Sequence, residues 1–439
     1  MRHALRFGGV AALPLTSTGL SGSRTLSTQE LEAARQARSA GTLDALESWK
    51  PIMGEQFDFR IVQMHLTDKC NLRCSYCYED HAERSSRVMS LATAQEIAAR
   101  HLTEEGAHER VEFDFIGGEP LMAWDRIVAV IEYVHHHKWP KKHTFSFSTN
   151  GTLFTDEIKH WLDHHSCVAF SFSIDGTRAA HNLNRCDSYD RVIQHLPWAV
   201  ERCKRLKIEP RVKMTIGPDT VSMIADGIAE LHEMGFEKVD ANVPYENIWG
   251  DRLEDCLAAF AKQLDTLVEY YLQRPKLEPA RLIHLPIEKM IEMKKDEHYP
   301  RWCGSGYPMI CYDVEGHPLP CHRFVGISTG QSYEGPLSFA PKTWDEVRQG
   351  PPALCVECPF VAACPSCMAL NWLENGDVDR RTNWHCGFIL LQFKASAKFK
   401  ILNLSREIAA APATAEGKEM VSSLQPQLDH ALYVHELLS

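Results

Sequence analysis

The chain has 439 residues, of which 44% are hydrophobic and 24% charged, the balance of a folded globular protein and not of a disordered or membrane-spanning one. At about 150 residues per domain it has room for two or three domains. Its formal net charge of -11 argues against a broad nucleic-acid surface, since phosphate binding is driven by Lys and Arg, and no apolar run of about 18 residues predicts a transmembrane helix.

The first 29 residues carry arginines and no acid, with a mildly apolar "GGVAALPL". A targeting peptide, an over-extended start and a plain disordered tail are all open readings there. No clear secretory signal is present, so a cytoplasmic location is expected. In that setting the close pairs among the 15 cysteines point to metal and not to disulfides. Residues 1–56 form an N-terminal extension, either disordered or leader-binding, in which "TQELEAARQARSAGTLDALESW" reads helical.

Strand-like alternation then recurs at 57–66, 111–115, 143–148, 168–174, 210–216 and 238–243. Helical stretches lie between, one with Leu91, Ala94, Ile97, Ala98 and Leu102 on a face, another with Ile127, Val128, Ile131 and Val134. Six β-then-α repeats without a Gly-rich dinucleotide fingerprint predict an α/β fold, a parallel sheet curled into a partial (β/α)6 barrel with helices outside, over residues 57–285. "CNLRCSYC" follows the first strand, "GGEP" (Gly117, Gly118, Glu119, Pro120) the second, "STNG" the third and "SIDG" the fourth. All four loops sit at C-terminal strand ends, where ligands bind in parallel α/β architectures.

The sequence "CNLRCSYCYE" with "FIGGEP", "STNGTL" and "SIDG" resembles the core of the radical SAM superfamily. That resemblance implies that Cys70, Cys74 and Cys77 hold three irons of a [4Fe-4S] cluster. The fourth iron then stays open for S-adenosylmethionine, whose cleavage yields a 5'-deoxyadenosyl radical. A fourth cysteine would close the cluster, as four protein ligands close a structural zinc site. The resemblance further implies that Glu119 accepts from the methionine ammonium, with Gly117 and Gly118 allowing close approach. Tyr76 falls beside the adenine, Ser148 and Asn150 near the ribose or sulfonium, and Ser173 and Arg185 near the methionine carboxylate.

A second cysteine system follows at Cys303, Cys311, Cys321, Cys355, Cys358, Cys364, Cys367 and Cys386, with Gly316 five residues before Cys321. It resembles the SPASM extension behind radical SAM domains, expected over 300–390 and followed by a helical tail at 391–439. The resemblance assigns Cys303, Cys311, Cys321 and Cys367 to one auxiliary cluster, and Cys355, Cys358, Cys364 and Cys386 to another. The chain departs from the pattern in having two residues, not three, between Cys364 and Cys367. A zinc ribbon is the rival reading of "CVECPFVAACPSC"; the upstream three-cysteine loop and the Gly316 spacing favour three iron-sulfur clusters. Cys167, Cys186, Cys203 and Cys256 read as packing residues.

SPASM-bearing relatives include anaerobic sulfatase maturases, which place an aspartate directly after the cysteine matched by Cys321, and maturases that crosslink ribosomally made peptides. Here the position is His322, which as a base would take a substrate proton; a surface histidine, or a donor to cluster sulfur, is the bland alternative. The expected function is a peptide maturase installing a thioether or carbon-carbon crosslink. Its expected partners are a precursor peptide with a leader segment and a flavodoxin- or ferredoxin-type electron donor, with no nucleic acid and no membrane. Sulfatase maturation is the close alternative, and a non-catalytic iron-sulfur or zinc protein the distant one.

Overall fold

The computed structural model describes residues 59–79, 86–104, 108–287, 303–306, 308–325, 355, 358–361, 363–375, 378–381 and 384–438. The N-terminal extension and its expected helix lie outside them.

The strands are β1 (Phe59–Thr67), β2 (Arg110–Gly117), β3 (Lys142–Thr149), β4 (Val168–Ser173), β5 (Arg211–Thr215), β6 (Lys238–Asn242), β7 (Met309–Tyr312) and β8 (Pro318–Leu319). They form one sheet in the order β6-β5-β4-β3-β2-β1-β7-β8. All pairings are parallel except the short β7–β8 hairpin. The six expected parallel strands are present within a residue or two. What sequence patterning missed is β7, four residues that add to the outer edge of β1 and carry Cys311 into the sheet.

Alternation explains the two faces of the sheet. Val62, Met64 and Leu66, then Val111, Phe113 and Phe115, then Phe145 and Phe147, and finally Val212 and Met214 are all buried, each aromatic contributing about 2–3 kcal/mol by burial. Phe113 and Phe145 stack at 5.8 Å, and Phe147 and Phe170 at 5.5 Å. The intervening positions are polar, including Gln63, Asp114, Ser146, Ser148, Ser171 and Lys213. The helices are α1 (Leu91–Thr103), α2 (Trp124–His136), α3 (Asp156–Asp163), α4 (Arg178–Asn184), α5 (Tyr189–Ile193), α6 (Leu196–Leu206) and α7 (Ile224–Glu233). Ser90 and Thr155 cap α1 and α3 by accepting from Thr93 N and Ile158 N, worth about 1 kcal/mol each. The buried face of α1 is Ala94, Ile97, Ala98, His101 and Leu102, and that of α2 Ile127, Val130, Ile131 and Val134. Leu91 and Val128, expected on these faces, are only half-buried: Leu91 is the first residue of α1, and Val128 at 100° per residue falls beside the stripe of α2.

These residues up to 248, with those from 303 to 325, form one compact unit. The described residues from 249 to 287, and from 355 onward, form a second. The second unit holds α8 (Leu253–Leu272), α9 (Met368–Asn375), α10 (Cys386–Ala410) and α11 (Ala415–Leu437). Within it α10 packs on α8 through Phe388 against Phe260 at 5.2 Å, and buried Lys398 donates to Asp265 at 2.7 Å. Thus α8 groups with the helices of the expected tail. Among the described residues no helix is long and apolar enough to cross a membrane.

Candidate functional site

The loop bearing Cys70, Cys74 and Cys77 leaves the C-terminal end of β1, and the other three motif loops leave β2, β3 and β4 beside it. Gly118 N–H donates to Thr67 O at 2.9 Å, and Glu119 N–H to Lys69 O at 2.8 Å, so "GGEP" is laced to the backbone entering the cysteine loop. A Cβ on Gly117 would lie 2.4 Å from Thr67 O and one on Gly118 2.5 Å from Lys69 O. Both glycines thus let the chain's own backbone approach closely.

Glu119 is 1% exposed. Its Oε1 accepts from Thr149 Oγ1 at 2.6 Å and Leu121 N at 3.1 Å, and its Oε2 accepts from Asn150 N at 2.7 Å. Burial pushes its carboxyl up to about 7 against these hydrogen bonds, which pull it down. A carboxylate offers about four acceptor directions, so one remains for a further donor. Asn150 in turn donates Nδ2 to Asn71 Oδ1 at 2.8 Å and points it at Cys70 Sγ, 4.0 Å away. Leu72 N–H donates to the same sulfur at 3.5 Å.

Asp175, in "SIDG", was not singled out from sequence and is the hub of the site. It is wholly buried and accepts from Tyr76 OH at 2.6 Å, Asn184 Nδ2 at 3.1 Å and Thr215 N at 3.0 Å. Arg185 Nε lies 3.0 Å from its Oδ2. The Arg185 guanidinium stands over the Tyr76 ring, 5.3 Å from its centroid, and its Nη1 is 4.0 Å from Cys74 Sγ. Burial pushes the Cys74 thiol up to about 12 in the metal-free protein; Arg185 opposes this, while Cys77, Asp175 and Cys70 add to it. The three thiols therefore sense one another. Cys186, expected to pack, is instead exposed at a left-handed φ of 54°, with Sγ 3.3 Å from Arg73 N and 3.1 Å from Arg73 O. Cys167 is also only half-buried, 3.5 Å from His135 Nε2; Cys203 and Cys256 are buried as expected.

On the polar face of the sheet Ser148 accepts from Lys213 Nζ at 2.6 Å and lies 3.2 Å from Ser171 Oγ. Ser173 stands in register with Lys213. Gln63 Nε2 donates to Asp114 Oδ2 at 3.0 Å, while Gln63 Oε1 receives His322 N at 3.0 Å and faces His322 Nδ1 at 3.1 Å. Because that oxygen only accepts, Nδ1 carries the proton and Nε2 the lone pair. Burial first, then Arg323, Lys213 and His65, push the half-buried imidazole down to about 3, so it is neutral near pH 7. Polar letters at alternating strand positions (Gln63, Asp114, Lys213) were the available sequence signal for this face.

Of the later cysteines, Cys311 is fully buried on β7 and Cys321 follows β8; burial raises the Cys311 thiol, and Cys321 raises it further. Cys303 is exposed in the same unit, whereas Cys367 belongs to the second unit. There Cys355, Cys358, Cys364 and Cys386 come together. Burial pushes Cys386 up to about 12, helped by Cys364, Cys355 and Cys358, and Arg381 opposes it. Among the described residues, the one His/Cys/Asp/Glu group whose ligand atoms all lie within 4.8 Å is Asp313, Glu315 and His317.

Residues 64–245 match the Radical SAM superfamily. The cysteine-type anaerobic sulfatase-maturating enzyme of Clostridium perfringens is 28% identical over 162 residues, 34% of this chain and 42% of that protein. Radical SAM cyclopropyl synthase TigE of Paramaledivibacter caminithermalis is 27% identical over 165 residues, 33% of either chain. The chain spans less than half the length of these curated relatives. Among solved structures, anSMEcpe with bound AdoMet and a peptide superposes with a TM-score of 0.58 at 17% identity, over 79% of this chain and 99% of that one. Streptococcus suis SuiB bound to precursor peptide SuiA gives 0.50 at 16%, over 74% and 75%.

Proposed function

We propose that this chain, whose residues 64–245 form a radical SAM domain, is a maturase that modifies a ribosomally made peptide, installing a thioether or carbon-carbon crosslink. The observation that carries the radical reading is the loop of Cys70, Cys74 and Cys77, in which Cys70 Sγ faces Leu72 N of the loop itself and Asn150 Nδ2 from beyond β3, while Cys74 Sγ faces Arg185 Nη1 at the end of α4. When bound, a [4Fe-4S] cluster with S-adenosylmethionine supplies the one-electron chemistry that opens a substrate C–H bond. Glu119 holds the cofactor ammonium through its remaining acceptor direction, with Ser173 near the carboxylate and Ser148 and Asn150 on the ribose side. Tyr76 is held by Asp175 where it flanks the adenine.

Beyond the three-cysteine loop, one auxiliary cluster is built on Cys303, Cys311 and Cys321, and another belongs to Cys355, Cys358, Cys364 and Cys386. The mutual influence of the last four thiols supports that set. Three cubanes require about twelve irons per chain, with electrons from a flavodoxin- or ferredoxin-type donor. His322, its Nδ1–H fixed on Gln63, leaves Nε2 to accept a hydrogen bond from substrate; with the imidazole pushed down to about 3 it is too weak a base to take a thiol proton by itself.

Formylglycine formation in a sulfatase is the second reading, favoured by the likeness to sulfatase maturases in sequence and fold. The two separate by mass. Reduced, iron-loaded protein with S-adenosylmethionine is incubated with the peptide encoded beside its gene and, separately, with a sulfatase-motif peptide. Crosslinking lowers mass by two hydrogens per bond, whereas formylglycine exchanges sulfur for oxygen and abolishes the thiol. Formylglycine with no crosslinked product would overturn the first reading.

A further inference from the structure

We propose that His135, His143, His165 and Cys167 bind a borderline-soft divalent cation of the zinc type, at the edge of the sheet opposite the three-cysteine loop. The site is independent of the radical chemistry.

Parallel topology gathers these residues from three stretches of chain. His135 lies in the last turn of α2, His143 is the second residue of β3, and His165 and Cys167 lie between α3 and β4. Because β3 pairs with β4, the two N-terminal strand ends lie side by side. Cys167 Sγ is 3.5 Å from His135 Nε2. A zinc ion bonded to nitrogen at about 2.0 Å and to sulfur at about 2.3 Å in tetrahedral geometry holds those atoms about 3.5 Å apart. A thiol-imidazole hydrogen bond has the same spacing, so the other two rings decide between them.

The rings of His143 and His165 are centred 6.1 and 6.3 Å from that of His135. Two imidazoles on one tetrahedral metal have centres about 5 Å apart, so each ring closes by about 1 Å. This is why the donor atoms do not all fall within 4.8 Å of one another. All four side chains are at least partly exposed, and small χ rotations supply the movement. The rings are turned the right way for it. His165 Nδ1 is 2.7 Å from Trp161 O, and His143 Nδ1 faces Lys141 O at 3.4 Å. Carbonyls only accept, so Nδ1 carries the proton in both rings and Nε2 keeps the lone pair, as in metal-binding histidines oriented by an outer carbonyl.

The backbone beneath is fixed. Phe145 N donates to Cys167 O at 3.1 Å, and buried Arg202 donates to the carbonyls of Leu162, His165 and Val168. Three imidazoles and a thiolate suit zinc, whereas magnesium and calcium take oxygen ligands.

The test equilibrates the iron-loaded full chain with zinc sulfate, removes unbound metal and counts both metals. Wild type should hold about one zinc per chain beyond its iron. Zinc should also protect Cys167 from iodoacetamide, read by peptide mass; this readout needs neither a variant nor any cluster. His135→Ala and Cys167→Ser should each lose the zinc while keeping iron and 5'-deoxyadenosine formation, and His143→Ala and His165→Ala should weaken its binding. Zinc held at the wild-type level in His135→Ala and Cys167→Ser, zinc gained only as iron is lost, or Cys167 alkylated equally fast with and without zinc overturns the site.

Discussion

The two cysteine systems differ in what holds them before any metal arrives. Cys70, Cys74 and Cys77 hang from β1, and their loop is laced to its neighbours by Gly118 and Glu119 backbone donors, by Tyr76 on Asp175 and by Asn150 on Asn71. Cys358 and Cys364 lie outside helices and strands, with contacts such as Cys358 N to Cys355 O at 3.4 Å and Arg381 Nη1 to Val361 O; Cys386 starts a long helix. A site framed by a parallel sheet keeps its geometry without ligand, so one coordination position can be left open. A site whose ligands lie largely outside regular elements gains more of its order from its metal, which suits four closed ligands.

The sharpest way to break this contrast is to remove the thiols of each set. Replacing Cys70, Cys74 and Cys77 together by Ala should abolish 5'-deoxyadenosine formation and remove about four of about twelve irons, yet leave the melting temperature of the metal-free protein near wild type. Calorimetry and iron analysis check both halves. Cys386→Ala should also cost about four irons, but here the iron-loaded protein should lose about 5 kcal/mol or more of stability. Limited proteolysis should then cut within 355–386 while sparing the β1 loop. Equal protection of both regions in both variants would erase the distinction.

The frame of the first site depends instead on its buried carboxylates. Asp175→Ala leaves Arg185 buried without its partner and should destabilise the chain by about 3–5 kcal/mol, seen as a lower urea midpoint even without iron. Glu119 tests the frame more finely. Its carboxyl, pushed up to about 7 by burial, binds its proton more tightly folded than unfolded. Stability from this group is therefore full below the ordinary carboxylate range and is lost as pH rises through about 7. Binding of a cofactor ammonium needs the carboxylate, so S-adenosylmethionine affinity should rise with pH up to that value, by up to about tenfold per pH unit. Glu119→Gln should flatten both dependences. A wild-type affinity independent of pH between 5 and 8 would show that Glu119 does not meet the ammonium.

Much of this was legible in the letters because strand and loop signals are local. Period-two alternation placed the six parallel strands within a residue or two, since each Phe or Val facing the helices must alternate with a residue facing the other way. The spacing of Cys70, Cys74 and Cys77 and the four loop motifs at strand ends were likewise local, and residues 64–245 match the superfamily those motifs suggested. Tertiary structure decided what depends on neighbours distant in sequence. It made Asp175 a hub joining Tyr76, Asn184, Arg185 and Thr215, and turned Arg185 toward a thiol. It gave Gly117 and Gly118 a backbone to meet, tied His322 to Gln63 across 259 residues, and added β7 to β1 although its four residues are too short to show a period. It exposed Cys186 where packing was expected. Alternation and spacing are set by the geometry of one strand or one loop. Hydrogen-bond partners and burial are set by which strands lie side by side, and that order follows from closing the whole sheet.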